Sequence, residues 1–398
     1  MTAKSMMPYV KGNSAIREMF EEGARMAKEV GAENVYDFSL GNPSVPAPPE
    51  VEQAIIDILK EEDPIFVHGY NQSNSGYEDV RTVIAEHLNK LHGTAFTAAN
   101  IIMTVGAASG LNVAMKTLLD PGDEVLAFAP YFVEYGNYAA NHGATLRAVP
   151  ADTETFQPNL TKLQEMIGPK TRAVIINSPN NPTGVVYSAA TIEKLAGILS
   201  AKEQELGHEI FLIADEPYRE LVYGDVEVPY VTGFYKNTIV GYSWSKSLSL
   251  PGERIGYLVF PSEMDDFDNA VTAANIANRV LGYVNAPTLI QRVVGRCIDC
   301  TTNIVAYDRN RRALYNGLRE AGYQCIEPEG AFYLFVKSPI EDDVEFCALA
   351  KKHHILAVPG KSFACPGYVR LAYCVSYDTI VNSLPAFRAL MEEINGGK

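Results

Sequence analysis

A single lysine set among small hydroxyl residues is the first place in this 398-residue chain where chemistry can be read. The stretch Ser243-Trp244-Ser245-Lys246-Ser247 is followed by Ser249, Pro251, Gly252 and Arg254, and it lies between two strand-like runs, 238–242 and 254–260. A lysine amine can condense with an aldehyde, serine hydroxyls can hydrogen-bond a phosphate, and an arginine fork can clamp one. Together these are the means of holding pyridoxal phosphate. Alone, the loop also reads as a polar turn with a solvated lysine, so the rest of a site has to come from elsewhere in the chain.

Four further segments follow strand-like runs, where open α/β sheets gather their ligands. Thr104-Val105-Gly106-Ala107-Ala108-Ser109-Gly110 carries a strand into a helix through tiny residues, so backbone N–H groups can approach an anion at the helix N-terminus. The chain has neither the GxGxxG of dinucleotide sites nor the Gly-rich Lys-Ser/Thr signature of P-loops. Ala129-Pro130-Tyr131-Phe132-Val133-Glu134-Tyr135 sets aromatics just past a strand, where one could stack on a flat ring. Asn177-Ser178-Pro179-Asn180-Asn181-Pro182-Thr183-Gly184 can present a side-chain amide to a phenolate oxygen. Ala214-Asp215-Glu216-Pro217-Tyr218 puts a carboxylate at the tip of an apolar strand, which is costly unless it is paired. A protonated ring nitrogen would pair it, with Tyr218 reaching a second ring substituent. Taken singly, these segments have plainer explanations: a tight turn, an aromatic against a helix, a proline turn, a strand cap. In one order along one chain, ending in Ser-x-x-Lys and an arginine, they describe parts of a single site.

Those residues need a sheet to carry them. An N-terminal helix over 14–30, with Ser14 as its N-cap, leads to a short strand over 35–40 that Gly41-Asn42-Pro43 breaks. Helices follow over 49–59 and 76–92. Strands over 101–105, 123–129, 145–149, 173–176 and 209–214 then alternate with helices over 107–119, 131–141, 160–167 and 188–206. The strand runs are continuously apolar, as strands buried on both faces are. The expected fold is α/β, a mostly parallel sheet sandwiched by helices. Past Phe260 helical patterns dominate (262–280, 288–322), followed by strands near 333–336, 355–358 and 369–373 and a helix over 379–394, which describes a smaller α+β domain. The expected division is an arm over 1–45 contributing to the small domain, a large domain over 46–285 and a small domain over 286–398.

The ordered motifs, Ser-x-x-Lys with a following Arg and Asn-Pro-Thr-Gly with a following Asp-x-x-Tyr, give the chain its resemblance. It resembles the fold-type I pyridoxal-phosphate aminotransferases of class I/II, the aspartate aminotransferase superfamily, over nearly its whole length. The resemblance implies roles by position. Lys246 forms the cofactor's Schiff base; Ser243, Arg254 and the backbone N–H groups of Ala107 and Ala108 hold the phosphate. Phe132, with Tyr131 beside it, stacks on the pyridine ring. Asp215 pairs with the ring nitrogen, and Asn181 and Tyr218 bond the phenolate oxygen. Arg370 takes the substrate α-carboxylate, as a guanidinium fork can and a lysine cannot equally, with Asn181 and the backbone at Gly41 close by. A tyrosine of the partner subunit reaches the phosphate in such proteins, and Tyr70 matches it, which implies a homodimer with shared sites. Asp215 makes the ring an electron sink, while Lys246, freed by the substrate amine, acts as base and then acid. The implied reaction moves an amino group from an L-amino acid to a 2-oxo acid in two half-reactions.

Composition bounds the alternatives. A formal net charge of −15 argues against nucleic acid or an anionic membrane as partner. No run of apolar residues is long enough for a membrane span, and the N-terminus lacks a secretory pattern, so a cytoplasmic protein is expected. The six cysteines fall late in the chain; the one C-x-x-C pair, Cys297 and Cys300, lies on a helical stretch without a second pair, and no metal site is expected. β-Elimination by a C–S lyase, or ring closure, would use the same lysine and arginine, so other pyridoxal-phosphate chemistry stays open. A non-catalytic regulator would want a DNA-binding head, and the N-terminal segment is short and not basic. Substrate choice is not legible: Arg279 lies near the position of a side-chain-carboxylate arginine, and Ile16 and Arg17 on the arm could face the substrate instead.

Overall fold

In the computed structural model, which describes residues 2–11 and 15–396, the chain enters through a helix, Ala15–Val30, and a two-residue strand β1 (Tyr36–Asp37). The proposed cap Ser14 lies outside the described residues. The strand expected over 35–40 is shorter because the Asp37 carboxylate accepts from both Ser39 N–H (2.9 Å) and Ser39 O–H (2.6 Å), curling the backbone away from its partner. Tight entry to the next segments then depends on Gly41: a Cβ there would fall on the Tyr333 hydroxyl.

The central sheet has seven strands: β2 (Ile101–Thr104), β3 (Glu124–Phe128), β4 (Thr145–Val149), β5 (Thr171–Asn177), β6 (Phe211–Asp215), β7 (Thr238–Ser243) and β8 (Gly256–Val259). Their spatial order is β2-β8-β7-β6-β5-β3-β4, and only β8 runs against the rest. This is the mostly parallel α/β sheet expected from the apolar runs. Both faces are covered, as the alternation within each strand demands. Leu126, Val174, Ile176 and Leu212 face one apolar cluster, while Val125, Ala127, Ile175 and Ile213 face another. Each large aliphatic side chain so buried contributes about 1.5–3 kcal/mol.

Helix boundaries move for local reasons. The helix expected from 76 begins at Glu78, since Gly76 adopts φ +98° and Tyr77 is the N-cap. The helix expected from 131 is cut to Tyr135–Ala140, because Tyr131 N–H is drawn to Phe363 O (3.3 Å). The stretch over 288–322 is two helices, Thr288–Arg296 and Ile304–Glu320, the second capped by Asn303 accepting from Ala306 N–H (3.1 Å). In the break between them, Thr302 N–H donates to Ser247 O (2.7 Å), pinning the lysine loop from outside the sheet.

A second sheet follows, with order β12-β13-β10-β9, from β9 (Gln324–Cys325), β10 (Tyr333–Lys337), β12 (Val358–Pro359) and β13 (Tyr368–Ala372), while β11 (Ile355–Leu356) pairs with β1 in parallel. Its cluster gathers Phe38, Leu314, Phe332, Leu371 and Phe387 with the helices Ile304–Glu320 and Tyr377–Gly396. The helix Thr288–Arg296 instead gives Ile290, Val293 and Val294 to the first cluster, with Val51, Ile58 and Ile84.

Candidate active site

The one reversed strand explains how a residue before a strand meets residues after other strands. In register, Ser243 on β7 stands opposite Gly256 on β8, and Gly256 opposite Thr104 on β2. The C-terminal ends of β2 and β7 therefore share an edge with the start of β8, which brings Arg254 there. Along the same edge, Asn177 at the end of β5 is in register with Asp215 at the end of β6, and Asp215 with Gly241.

A cavity of about 310 Å³ opens at that edge, within the size range of small-molecule sites. Lys246, Asp215, Tyr218 and Asn181 line it, as do Ala107, Ala108, Ser243, Arg254 and Phe132, and the second sheet and arm add Arg370 and Gly41. Phe132 lines the cavity, whereas Tyr131 stacks on Tyr135 with ring centroids 6.3 Å apart.

Ser243 caps the short helix Trp244–Ser247, its Oγ accepting from Ser245 N–H (3.2 Å), which turns Lys246 inward. Lys246 Nζ donates to Gly41 O (2.7 Å) and lies 5.2 Å from the Phe332 ring centre. Burial pulls its pKa down to about 8; the neighbouring Cys374 opposes that fall, and the cations Arg370 and Arg254 add to it with smaller effects. Asp215 is buried with Oδ2 accepting from Tyr135 O–H (2.6 Å) and Oδ1 without a partner among the described residues. Burial raises its carboxyl to about 7; the Tyr135 bond works against that rise and Glu216 adds to it. Arg370, 2 % exposed on β13, donates to Asn181 Oδ1 (3.1 Å) and to Ser39 O (2.5 Å), and among the described residues its Nε has no partner. Its guanidinium lies 4.6 Å from the Tyr333 ring centre and 5.0 Å from that of Phe363.

These residues fit pyridoxal phosphate at both ends. At one, the helix Gly106–Leu118 starts without a capping side chain, so its first N–H groups lack intrahelical acceptors. Ser243 O–H and the Arg254 fork stand beside it, and a Cβ on Gly106, whose φ of +80° favours glycine, would come within 2.6 Å of Arg254 Nη2 and displace the fork. At the other end, the unpartnered Asp215 Oδ1 is a buried acceptor that a protonated ring nitrogen would satisfy.

Several lining or supporting residues have roles that the motifs alone do not assign. Asn177 holds both neighbours, donating to Asp215 O (2.8 Å) and accepting from Asn181 N–H (2.7 Å). Tyr135 stands inside the aromatic stretch already singled out, and its spacing from Phe132 could have suggested an inward partner for Asp215. Tyr333 had no local signal; the pairing of β10 with β13 brings it in. Other residues stay away from the cavity. Tyr70 is 90 % exposed beside a separate surface recess with His68 and Tyr283. Arg279 is exposed on the helix Phe267–Val280 and does not line the cavity. Ile16 and Arg17 belong to the helix Ala15–Val30, but their side chains lie outside the described residues.

All six cysteines are free thiols. Burial pushes Cys297 up to about 11, with Cys300 adding to the rise. Among the described residues no group of three His, Cys, Asp or Glu could hold a metal ion, and no helix is long and apolar enough to cross a membrane.

Comparison with known proteins gives the family. The chain matches the model of the aminotransferase class I and II family over residues 33–384. It is 32% identical to an aspartate aminotransferase of Thermotoga maritima, the match covering 88% of this chain and 90% of that one. A probable aspartate/prephenate aminotransferase of Aquifex aeolicus is 31% identical, over 92% and 94% of the two chains. A crystal structure of an amino transferase from Eubacterium rectale superposes with a TM-score of 0.97 at 49% identity, covering 99% of both chains. The chain belongs to the class I and II aminotransferases, the pyridoxal-phosphate enzymes of fold type I.

Proposed function

We propose that this cavity carries out transamination through Lys246, with the residue roles that follow from its geometry. The observation that supports this most is the convergence on one cavity of a lysine amine with a lowered pKa, a buried unpartnered carboxylate oxygen and a buried arginine. Lys246 Nζ would join covalently to the cofactor. Ser243, Arg254 and the N–H groups of Ala107 and Ala108 would hold its phosphate, with Phe132 over the ring. Asp215 would accept from the ring nitrogen, and Asn181 and Tyr218 would donate to the ring oxygen. When bound, pyridoxal phosphate supplies the electron sink for the bond broken at the substrate Cα.

The chain's own groups do the rest. Arg370 binds the substrate carboxylate as a fork, and its held position, bonded to Asn181 and Ser39, fixes which substrate bond faces Lys246. With its amine free, Lys246 would take the substrate Cα proton at Nζ and then act as the acid that gives a proton back. An amine of pKa about 8 is suited to both, since it exchanges protons readily near neutral pH. Asp215, poised near 7 by burial, is driven to its charged form by a cationic partner.

Tyr70 would complete a second copy's phosphate site in a homodimer: it is 90 % exposed, in one segment with Ile65 (83 %) and Phe66 (47 %). The arm and two-domain division is proposed likewise, with a second boundary that the contacts of Thr288–Arg296 move from 285 toward Thr302. The free thiols suit a reducing compartment, and we place the protein in the cytoplasm.

The test is a half-reaction. The holoenzyme is mixed with single amino acids in the absence of any oxo acid, starting with aspartate and phenylalanine because the relatives are named for aspartate and prephenate. Stoichiometric appearance of pyridoxamine phosphate and the matching 2-oxo acid is the expected result. Catalytic release of pyruvate and ammonia from cysteine-type substrates, without pyridoxamine phosphate, would assign elimination instead.

A further inference from the structure

We propose that Tyr333 is a positioning residue that ties the Tyr218 hydroxyl to the Arg370 guanidinium, so that one side chain orients both the ring-oxygen donor and the carboxylate anchor. The inference rests on the roles proposed above for Tyr218 and Arg370.

Tyr333 begins β10, in register with Ala372 of β13, two residues beyond Arg370. Its hydroxyl is 2.9 Å from Tyr218 Oη, its only hydrogen-bond partner among the described residues, and the two rings meet edge to face at 5.8 Å. Its ring face lies 4.6 Å from the Arg370 guanidinium. The side chain is buried, and burial pushes its hydroxyl up to about 12, so it keeps its proton at neutral pH. Gly41 must lack a Cβ for that hydroxyl to stand where it does, and Gly41 O in turn accepts from Lys246. If Tyr218 gives its own proton to the cofactor's ring oxygen, the hydroxyl pair leaves one direction for the second bond: Tyr333 donates to Tyr218. A donor that accepts a hydrogen bond becomes a better donor. Tyr333 therefore strengthens the Tyr218 bond from behind, while its π face holds Arg370 level for a carboxylate.

Two substitutions separate the two arms. Tyr333→Phe keeps the ring and removes the hydroxyl. In the reconstituted holoenzyme, the pH midpoint of the bound cofactor's absorbance should rise by about half a unit to one unit, on the scale of one weakened hydrogen bond. The direction follows because a ring oxygen left more negative holds the neighbouring proton on the Lys246 nitrogen to higher pH. Tyr333→Leu removes the π face as well, and the dissociation constant of propanoate, an unreactive carboxylate probe, should rise about three- to five-fold. Tyr333→Phe should leave that constant within twofold. Should Tyr333→Leu fail to fold, Tyr333→Met serves the same comparison.

Tyr218→Phe is the control for the underlying reading. If it raises the midpoint while Tyr333→Phe does not, the relay is wrong and the role of Tyr218 stands. If neither moves it, the role of Tyr218 fails and the relay with it. Unchanged propanoate affinity in both non-aromatic variants would overturn the clamp on Arg370.

Discussion

Lys246 offers the sharpest physical test, because its environment makes a quantitative demand. Burial pulls its pKa from 10.5 to about 8. That difference amounts to about 3.4 kcal/mol, or roughly a 300-fold change in the neutral fraction wherever both amines are mostly charged. At pH 7 about one Lys246 amine in ten is neutral, against about one in three thousand for a solvated lysine. The perturbation is pH itself. Protein freed of cofactor is mixed with pyridoxal phosphate in a stopped-flow spectrometer, and the bimolecular rate of covalent capture is followed from pH 6 to 11. A lysine model amine in the same buffers cancels the cofactor's own ionisations. The protein-to-model rate ratio should fall by roughly 200-fold between pH 7 and 11, with its steepest change between the two pKa values. Because Lys246 is half-buried and the cavity admits water to part of it, this figure is an upper one. A ratio that does not vary with pH would refute burial as the cause of its reactivity.

Three other outcomes follow from the same site. Asp215 has a folded pKa raised to about 7, so its contribution to stability is greatest below its unfolded value near 4 and is lost as pH rises through 7. Thermal unfolding of cofactor-free protein should show wild type losing ground to Asp215→Asn between pH 4 and 7, with the two holding a constant gap above that. Gly106→Ala places a Cβ against Arg254 at a backbone φ of +80° and should weaken pyridoxal-phosphate affinity about tenfold, measured by equilibrium dialysis, while costing about 1–2 kcal/mol in stability. Arg370→Lys cannot bridge Asn181 and Ser39 while gripping a carboxylate, so KM for the amino acid should rise about 10- to 100-fold in steady-state assays.

What the sequence makes legible divides along the chain's topology. Ser243, Lys246 and Arg254 stand close together in the chain, so their residue types suggest the chemistry, but only the strand-end motifs elsewhere separate it from a polar turn, and the apolar runs around them specify the sheet. Phe132 and Asp215 are legible as strand-end residues. Arg370 is recognisable only through the family resemblance, because nothing in a short β-strand marks an arginine as buried. Tyr333 and the inward hydroxyl of Tyr135 are set by strand pairing and side-chain packing between distant segments. Helix ends moved where single hydrogen bonds outside the helical pattern intervened, as Tyr131 with Phe363 and Thr302 with Ser247 demonstrate. Propensity does not encode such partners.

The most direct measurement is chemical trapping of the lysine. Holoenzyme reduced with borohydride and digested with protease should yield one peptide carrying the reduced pyridoxyl phosphate group, with the added mass on Lys246. Lys246→Ala should yield none while still binding the cofactor reversibly through the phosphate cradle. Label on another lysine, or equal labelling of the variant, would contradict the assignment of Lys246 as the residue on which the chemistry turns.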